Sequence, residues 1–227
     1  MPDFELNGVK LSLPEALAAP KILRKLKSGQ YEGFEARAAG LRVRKGFRVL
    51  ELGGGMGYVG SICANITGGE NLVTVEANPD MIPVIRANFD QNGHQAATLL
   101  HGAVTGNAAE GETLEFRRGP AFWGASIAED GTGKGDIVEV PLLRIGELLK
   151  AHRPNVVIMD IEGAEQHLFD APWPRHVRFV MMEIHPARYP ASVIRDIFDC
   201  MSASNMAYDP RASSGGVVSF RRLRDTG

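Results

Sequence analysis

The sequence predicts an α/β fold built on a doubly wound, mostly parallel sheet. From residue 47 onward, short apolar runs alternate with longer segments of helical character, and this alternation is typical of parallel sheets. The first apolar run leads directly into a glycine-rich turn, Gly53 to Gly57. A strand, a glycine-rich turn and a helix together form the arrangement that binds a nucleotide at the carboxyl end of such a sheet.

Length and composition favour one large domain with a full core, because the chain has 227 residues and a net charge of −2. No apolar run approaches the roughly 20 residues that span a bilayer, and the start lacks the pattern of a signal peptide. The two cysteines, Cys63 and Cys200, form neither a disulfide framework nor a metal-binding motif. We therefore expect a cytoplasmic protein that binds neither membranes nor nucleic acid.

Residues 1–46 are predicted to form a helical cap segment ahead of the main domain at 47–227. The capping-box pattern that starts at Ser12 predicts a helix over 12–28. A second, short helix is expected from Tyr31 to residue 39.

The main domain is predicted as alternating strands and helices with one interruption. In chain order we expect strands at 48–52, 72–77, 97–104, 156–162 and 177–184, helices at 57–66, from Asn78 to Asn92 and at 190–204, and a terminal hairpin with strands near 205–209 and 216–222. The interval 105–140 is rich in glycine and polar residues, which indicates an insertion with one or two edge strands. An unpaired edge strand there would allow a homodimer.

The glycine-rich turn can be interpreted in two ways. Gly55-x-Gly57-x-x-Gly60 matches the dinucleotide fingerprint, whereas Glu51, two residues before Gly53, suits a cationic ligand. A carboxylate about 4 Å from a pyrophosphate charge would repel it by about 4 kcal/mol at an effective dielectric of 20. S-adenosylmethionine carries an ammonium and a sulfonium instead. We favour this cofactor; an NAD-dependent oxidoreductase and a cofactor-binding module without catalysis are the alternatives.

The end of the second strand supplies further candidate cofactor contacts. Glu76 lies 23 residues beyond Gly53, where an acid accepts hydrogen bonds from both ribose hydroxyls. Ala77 and Asn78 would then lie along the adenosine. After the third strand, a backbone amide at Ala103 is placed to contact the adenine edge.

Acidic residues follow the fourth predicted strand, in the segment Asp160-Ile161-Glu162-Gly163-Ala164-Glu165. Asp160 and Glu162 share a face if the strand continues, so their carboxylates would converge at the carboxyl edge of the sheet. Glu165 is expected only to complement a helix N-terminus, which is worth a few tenths of a kcal/mol. His185, just after the fifth strand, is the best candidate for a general base, and Glu162 is the second.

Four segments resemble the FkbM-type family of S-adenosylmethionine-dependent methyltransferases, namely VLELGGGMG, VEANP, MDIEGAE and EIHP. The resemblance extends from about Tyr31 to the end of the fifth strand, about two-thirds of the chain, and D-x-E-G-A-E is its most specific element. It implies a seven-stranded, Rossmann-like methyltransferase sheet with a C-terminal hairpin.

The resemblance also implies the reaction, methyl transfer from S-adenosyl-L-methionine to an oxygen of a small molecule such as a sugar or secondary metabolite, with S-adenosyl-L-homocysteine as product. It implies that Tyr31 and Glu32 cover the methionine end of the cofactor. The residues that it places around the cofactor are Glu51, Gly53, Gly55, Gly57, Glu76 and Asp160.

A metal ion is not predicted. Asp160, Glu162, Glu183 and His185 offer oxygen and imidazole donors, but no short metal-ligand motif accompanies them. The absence of an N-P-P-[YFW] motif after the fourth strand argues against methylation of a nucleobase or amide nitrogen. We therefore expect an O-methyltransferase in which the protein aligns the acceptor, a contribution of roughly 7–11 kcal/mol, and removes its proton.

Overall fold

The computed structural model describes residues 3–118, 126–127 and 135–224. Its strands in these ranges are β1 (Asp3–Leu6), β2 (Val9–Ser12), β3 (Val49–Leu52), β4 (Leu72–Glu76), β5 (Thr98–His101), β6 (Ala103–Thr105), β7 (Thr113–Arg118), β8 (Ser126–Ile127), β9 (Asp136–Arg144), β10 (Val156–Met159), β11 (Phe179–Glu183), β12 (Met206–Tyr208) and β13 (Val217–Arg222). Its α-helices there are α1 (Pro20–Lys27), α2 (Gly33–Arg42), α3 (Tyr58–Thr67), α4 (Ile82–Gln91), α5 (Ile145–His152) and α6 (Ala191–Ala203).

Seven strands form the main sheet, in the order β12-β13-β11-β10-β3-β4-β5. The five strands from β11 to β5 run parallel to one another. The strand β13 runs antiparallel to both of its neighbours, β11 and β12. The predicted α/β class with a seven-stranded, Rossmann-like sheet is therefore confirmed.

Helices cover both faces of this sheet, and the side chains of the central strands alternate between the two. In β3, Leu50 and Leu52 pack with α5 and α6 in one hydrophobic cluster. Val49 packs with α3 and α4 in another. Because side chains along a strand alternate in direction, Glu51 lies on the same face as Val49, beneath α3. Fully buried strands of this kind need not alternate in polarity, which explains their continuous apolar runs.

The N-terminal segment differs from the prediction, because the helix expected over 12–28 begins only at Pro20. Residues 3–12 form an antiparallel hairpin instead. Its turn is Asn7-Gly8, with φ angles of +49° and +75°, as a two-residue type I′ turn requires. Val9 and Leu11 are fully buried on one side of β2. After the hairpin, Glu15–Leu17 form only a short 3-10 helix, and α1 begins at Pro20, because proline is tolerated in the first turn of a helix but not in its interior.

The strand expected over 97–104 is divided in two at Gly102. β5 ends at His101 in the main sheet, and β6 begins at Ala103 in a second sheet with the order β6-β9-β7-β8. The insertion thus contributes strands to a separate sheet, although its residues 119–125 and 128–134 lie outside the described ranges. No helix in the described part of the chain is both long enough and apolar enough to cross a bilayer.

Candidate active site

A cavity of about 880 Å³ opens at the carboxyl edge of the main sheet. Its walls come from the turn after β3, from the ends of β4, β10 and β11, and from the first two helices, at the place where open α/β sheets bind their ligands. The residues that the sequence predicts to contact the cofactor or the acceptor, and that line this cavity, are Tyr31, Glu32, Gly53, Gly55, Glu76, Ala77, Ala103, Asp160, Glu162 and His185.

The glycine-rich turn brings the ends of three strands together. Gly53 has a φ of +84°, and its N–H donates to the carbonyl of Val75 at 2.9 Å. A Cβ atom on Gly53 would collide with the backbone carbonyl oxygen of Asp160. The ends of β3 and β10 can therefore approach this closely only because residue 53 has no side chain.

Glu76 is held at the cavity wall by backbone amides. Its Oε2 accepts from the N–H of Gly55 at 3.1 Å and its Oε1 from the N–H of Asn78 at 2.7 Å. Burial raises the pKa of Glu76, and these amides oppose that effect. Both oxygens keep a lone pair for further donors, which suits the two hydroxyls of a ribose. Asn78 itself is buried away from the cavity wall and contributes its backbone N–H to Glu76.

Tyr31 and Glu32 lie over the glycine-rich turn. A Cβ atom on Gly55 would lie 2.8 Å from Oε1 of Glu32 and 3.0 Å from the Tyr31 hydroxyl. Burial raises the pKa of both side chains well above their usual values. Among the described residues, no Lys, Arg or His lies within 4 Å of the Glu32 carboxylate. A half-buried carboxyl group with no cation beside it fits a ligand that brings an ammonium, as S-adenosylmethionine does.

Glu51 lies outside the cavity. It is 3% exposed and accepts a hydrogen bond from the Thr74 hydroxyl at 2.6 Å. A Cβ atom on Gly60, in α3, would collide with its Oε2. Burial raises the pKa of Glu51 to about 8, so the side chain supports the turn from below and does not face a ligand directly. Gly57 lies outside the cavity as well, with its Cα facing Phe89.

Replacing Glu51 by glutamine should flatten the dependence of stability on pH. Because burial raises the pKa of Glu51 from 4.5 to about 8, the wild type loses stability relative to Glu51→Gln as the pH rises from 4.5, and the difference levels off above 8. At about 1.4 kcal/mol per pH unit, the relative loss reaches about 3 kcal/mol by pH 7. Urea unfolding of both proteins between pH 5 and 8.5 measures this difference in slope.

The matched control is Glu112→Gln, which alters an exposed glutamate in the chain segment before β7. Its unfolding free energy should follow the wild type at every pH. Parallel curves for the wild type and Glu51→Gln would contradict the assignment of a buried, neutral carboxyl group to Glu51.

Three carboxylates meet one imidazole at the ends of β10 and β11. Nε2 of His185 lies 3.4 Å from Oδ1 of Asp160, 3.8 Å from Oε2 of Glu162 and 3.8 Å from Oε2 of Glu183. Glu162 adopts a left-handed backbone conformation with a φ of +54°, which turns its side chain toward the cavity. The residues predicted as catalytic, His185, Glu162 and Asp160, thus lie together.

Burial and the neighbouring charges shift the pKa values of Asp160, Glu162 and His185. Burial raises the pKa of Asp160, and Glu183 and Glu162 raise it further. Burial also raises the pKa of Glu162. For His185, burial lowers the pKa, but the surrounding carboxylates, Glu165 first and then Asp160 and Glu162, outweigh burial and raise it to about 9. The imidazole is therefore cationic at neutral pH.

The donor atoms of Asp160, Glu162 and His185 lie within 4.8 Å of one another, close enough to share a metal ion. That this protein needs no metal stays a prediction.

Two functional candidates were not singled out from the sequence. Glu35 in α2 is 7% exposed, lines the cavity and lies near Asp160 and Glu183; nothing in the local pattern of α2 indicates this long-range contact. Glu165 was expected only to complement a helix N-terminus, but it is completely buried against His185. Its place in the D-x-E-G-A-E segment was the available signal.

Comparison with known proteins places this chain among methyltransferases. A family model described as the methyltransferase FkbM domain matches residues 58–210. The protein-L-isoaspartate O-methyltransferase of Methanococcoides burtonii is 32% identical over 62 residues, which are 27% of this chain and 30% of that protein. The match therefore spans less than a third of this relative.

Solved structures show the same fold at low identity. A precorrin-6y C5,15-methyltransferase from Geobacter metallireducens has a TM-score of 0.50 and 11% identity, and the alignment covers 92% of this chain and 91% of that one. A ribosomal protein L11 methylase from Lactobacillus delbrueckii subsp. bulgaricus has a TM-score of 0.50 and 11% identity, with coverage of 86% and 80%.

Proposed function

Because this chain belongs to the family of the methyltransferase FkbM domain, we propose that it transfers a methyl group to a hydroxyl oxygen of a small molecule. S-adenosyl-L-methionine is the cofactor. It supplies a methyl group on a sulfonium, and the electron pair of the broken carbon–sulfur bond stays on sulfur when the methyl group leaves. The rest of the chemistry falls to the residues around the cavity.

The cofactor-binding residues act by position and charge. Glu76, fixed by two backbone amides, would accept from the ribose hydroxyls. Gly53 and Gly55 let the backbone approach the ligand, and Glu32, with the Tyr31 hydroxyl beside it, would hold the ammonium of the methionine end.

The observation that carries the choice of oxygen is the place of His185. A hydroxyl must lose its proton as its oxygen attacks a methyl carbon, so it needs a base within hydrogen-bond reach. Nε2 of His185 lies on the cavity wall, 3.4 Å from Asp160. In the proposed step the acceptor O–H bond breaks, the proton binds Nε2, and the oxygen forms its bond to the methyl carbon. Asp160 stabilises the imidazolium that results, and Glu162 is the second candidate base.

The remaining expectations stay predictions. They are a small-molecule acceptor, a cytoplasmic location, no binding of nucleic acid and a possible homodimer. The NAD-dependent oxidoreductase and the module without catalysis are the competing hypotheses, and the following experiment separates both from the proposal.

The proposed function is tested by product analysis. The protein is incubated with S-adenosylmethionine labelled with ¹³C in the methyl group and with panels of monosaccharides, glycosides and phenols. We expect a product whose labelled carbon gives the NMR signal of an O-methyl group, and we expect S-adenosylhomocysteine to bind in calorimetry. A label that appears only on nitrogen or carbon, or affinity for NAD in place of S-adenosylhomocysteine, would sink the proposal. Binding of S-adenosylhomocysteine without transfer of label to any compound is the result that a module without catalysis predicts, and it would overturn the proposal as well.

A further inference from the structure

The carboxylate of Glu165 is fixed at a position that the cavity does not reach. Glu165 is 0% exposed. Its Oε1 accepts from the N–H of Ile161 and its Oε2 from the N–H of Gly163, both at 2.9 Å. These two hydrogen bonds from backbone amides stabilise the turn that carries Glu162, so Glu165 has a structural role in this turn. A fully buried carboxylate still needs a cationic partner, because removing a lone charge from water costs several kcal/mol.

That partner is the imidazole of His185, which Glu165 contacts at Nδ1, the ring nitrogen on the side away from the cavity. Nδ1 of His185 is buried without a formed hydrogen bond to any described residue, and Oε1 of Glu165 lies 3.3 Å from it. The backbone N–H of His185 donates to the Tyr189 hydroxyl at 2.9 Å. The opposite ring nitrogen, Nε2, faces the cavity and Asp160. The ring is thus oriented from its Nδ1 side, and Nε2 is left available to a ligand.

We propose that Glu165 is a positioning residue for methyl transfer: it binds the Nδ1–H of His185, directs Nε2 at the acceptor hydroxyl and stabilises the imidazolium. This inference rests on the proposed function. When Nε2 takes the hydroxyl proton, the ring gains one positive charge on the side that faces away from Glu165, whose carboxyl group lies against Nδ1. The arrangement follows the same logic as a carboxylate that orients a catalytic histidine in hydrolases.

The other carboxylates near the ring cannot take this role. The side chains of Asp160, Glu162 and Glu183 are 28%, 27% and 37% exposed, and all three approach Nε2, the atom that the acceptor must reach. Glu165 alone among these four lies on the Nδ1 side. It can therefore hold the ring without obstructing the acceptor.

The charged groups around the His185 imidazole also support the assignment of Glu165 as its positioning residue. The titratable and charged groups that surround His185 are Asp160 at the end of β10, Glu162 and Glu165 in the turn after it, Glu183 at the end of β11, Arg188 and Tyr189 after that strand, and Glu35 on α2. Glu165 is the strongest of the groups that raise the pKa of His185. Removing its charge should therefore lower that pKa.

The first test needs only the wild-type protein. Long-range ¹H–¹⁵N NMR of the histidine rings, with S-adenosylhomocysteine bound and above the pKa of His185, reports which nitrogen keeps its proton. We expect the Nδ1–H tautomer, because Nδ1 lies 3.3 Å from Oε1 of Glu165, a carboxylate oxygen that can accept its proton in a hydrogen bond. A neutral ring protonated at Nε2 overturns the proposal. The outcome is independent of the acceptor, so it is distinct from a failure to find an O-methylated product.

The second test compares Glu165→Gln, Glu165→Asp and Glu147→Gln, the last an exposed position on α5. In Glu165→Gln the pKa of His185 should fall by about one unit or more. At about pH 10, where the ring is neutral in both proteins, kcat should drop about 10- to 100-fold, part of what a general base contributes. KM for the acceptor should stay within about twofold. Glu165→Asp should recover part of both losses, and Glu147→Gln should behave as wild type. An unchanged pKa in a Glu165→Gln protein that still binds S-adenosylhomocysteine refutes the role.

Discussion

Replacing Gly53 by alanine should cost about 2–5 kcal/mol of unfolding free energy and abolish binding of S-adenosylhomocysteine. Two penalties add at this position. A residue with a Cβ atom at a φ of +84° pays about 1–2 kcal/mol. The new methyl group would also collide with the backbone carbonyl of Asp160, and overpacking of this kind costs about 1–3 kcal/mol or more. A backbone atom cannot rotate away, so the ends of β3 and β10 must separate.

Gly93→Ala separates the two penalties. Gly93 has a φ of +80°, but a Cβ atom there would meet nothing within 4 Å. It therefore pays the conformational cost alone, about 1–2 kcal/mol. Urea unfolding followed by circular dichroism gives both free energies, and calorimetry gives the affinity for S-adenosylhomocysteine. Equal losses in the two variants would mean that the contact with Asp160 yields easily and does not constrain the site.

The part of the site that could be predicted from the sequence follows from sheet geometry. Parallel strands present their carboxyl ends at one edge, so Glu76, Asp160 and His185 had to meet once their strands were recognised. The order of the strands is enough to predict that these three side chains lie close together. Which of them contact the cofactor and which the acceptor has to be argued from their chemistry.

Other features depend on contacts that no local pattern carries. Tyr31 reaches Gly55 across 24 positions of sequence because α2 packs over the turn, and neither segment indicates the other.

Glu51 is a different case. Alternation along β3 puts its side chain on the same face as that of Val49, but only the packing of α3 on that face shows that Glu51 lies away from the cavity. The turn at Asn7-Gly8 is a feature that the sequence does predict, since an Asn-Gly pair strongly favours a two-residue hairpin turn.

The proposed methyl-transfer activity should rise with pH and level off above the pKa of His185, about 9. Because the carboxylates around His185 outweigh burial and raise its pKa to about 9, the ring is protonated at neutral pH and cannot accept a proton. The neutral fraction grows about tenfold per pH unit below the pKa. We therefore expect kcat/KM for the acceptor, which reports the free enzyme, to increase about 50-fold from pH 7 to pH 9, where half of the rings are neutral, and to level off about 100-fold above its pH 7 value near pH 10.

His185→Ala should remove this rise together with the base. Its kcat should fall about 10²- to 10⁴-fold, the usual contribution of a general base, while its affinity for S-adenosylhomocysteine stays near that of the wild type, because Glu76 and the glycine-rich turn are untouched. His152→Ala, at the end of α5 and outside the cavity, serves as the control and should keep the full profile. If the rise with pH persisted in His185→Ala, the titrating base would have to be another group, and Glu162 would be the next residue to replace.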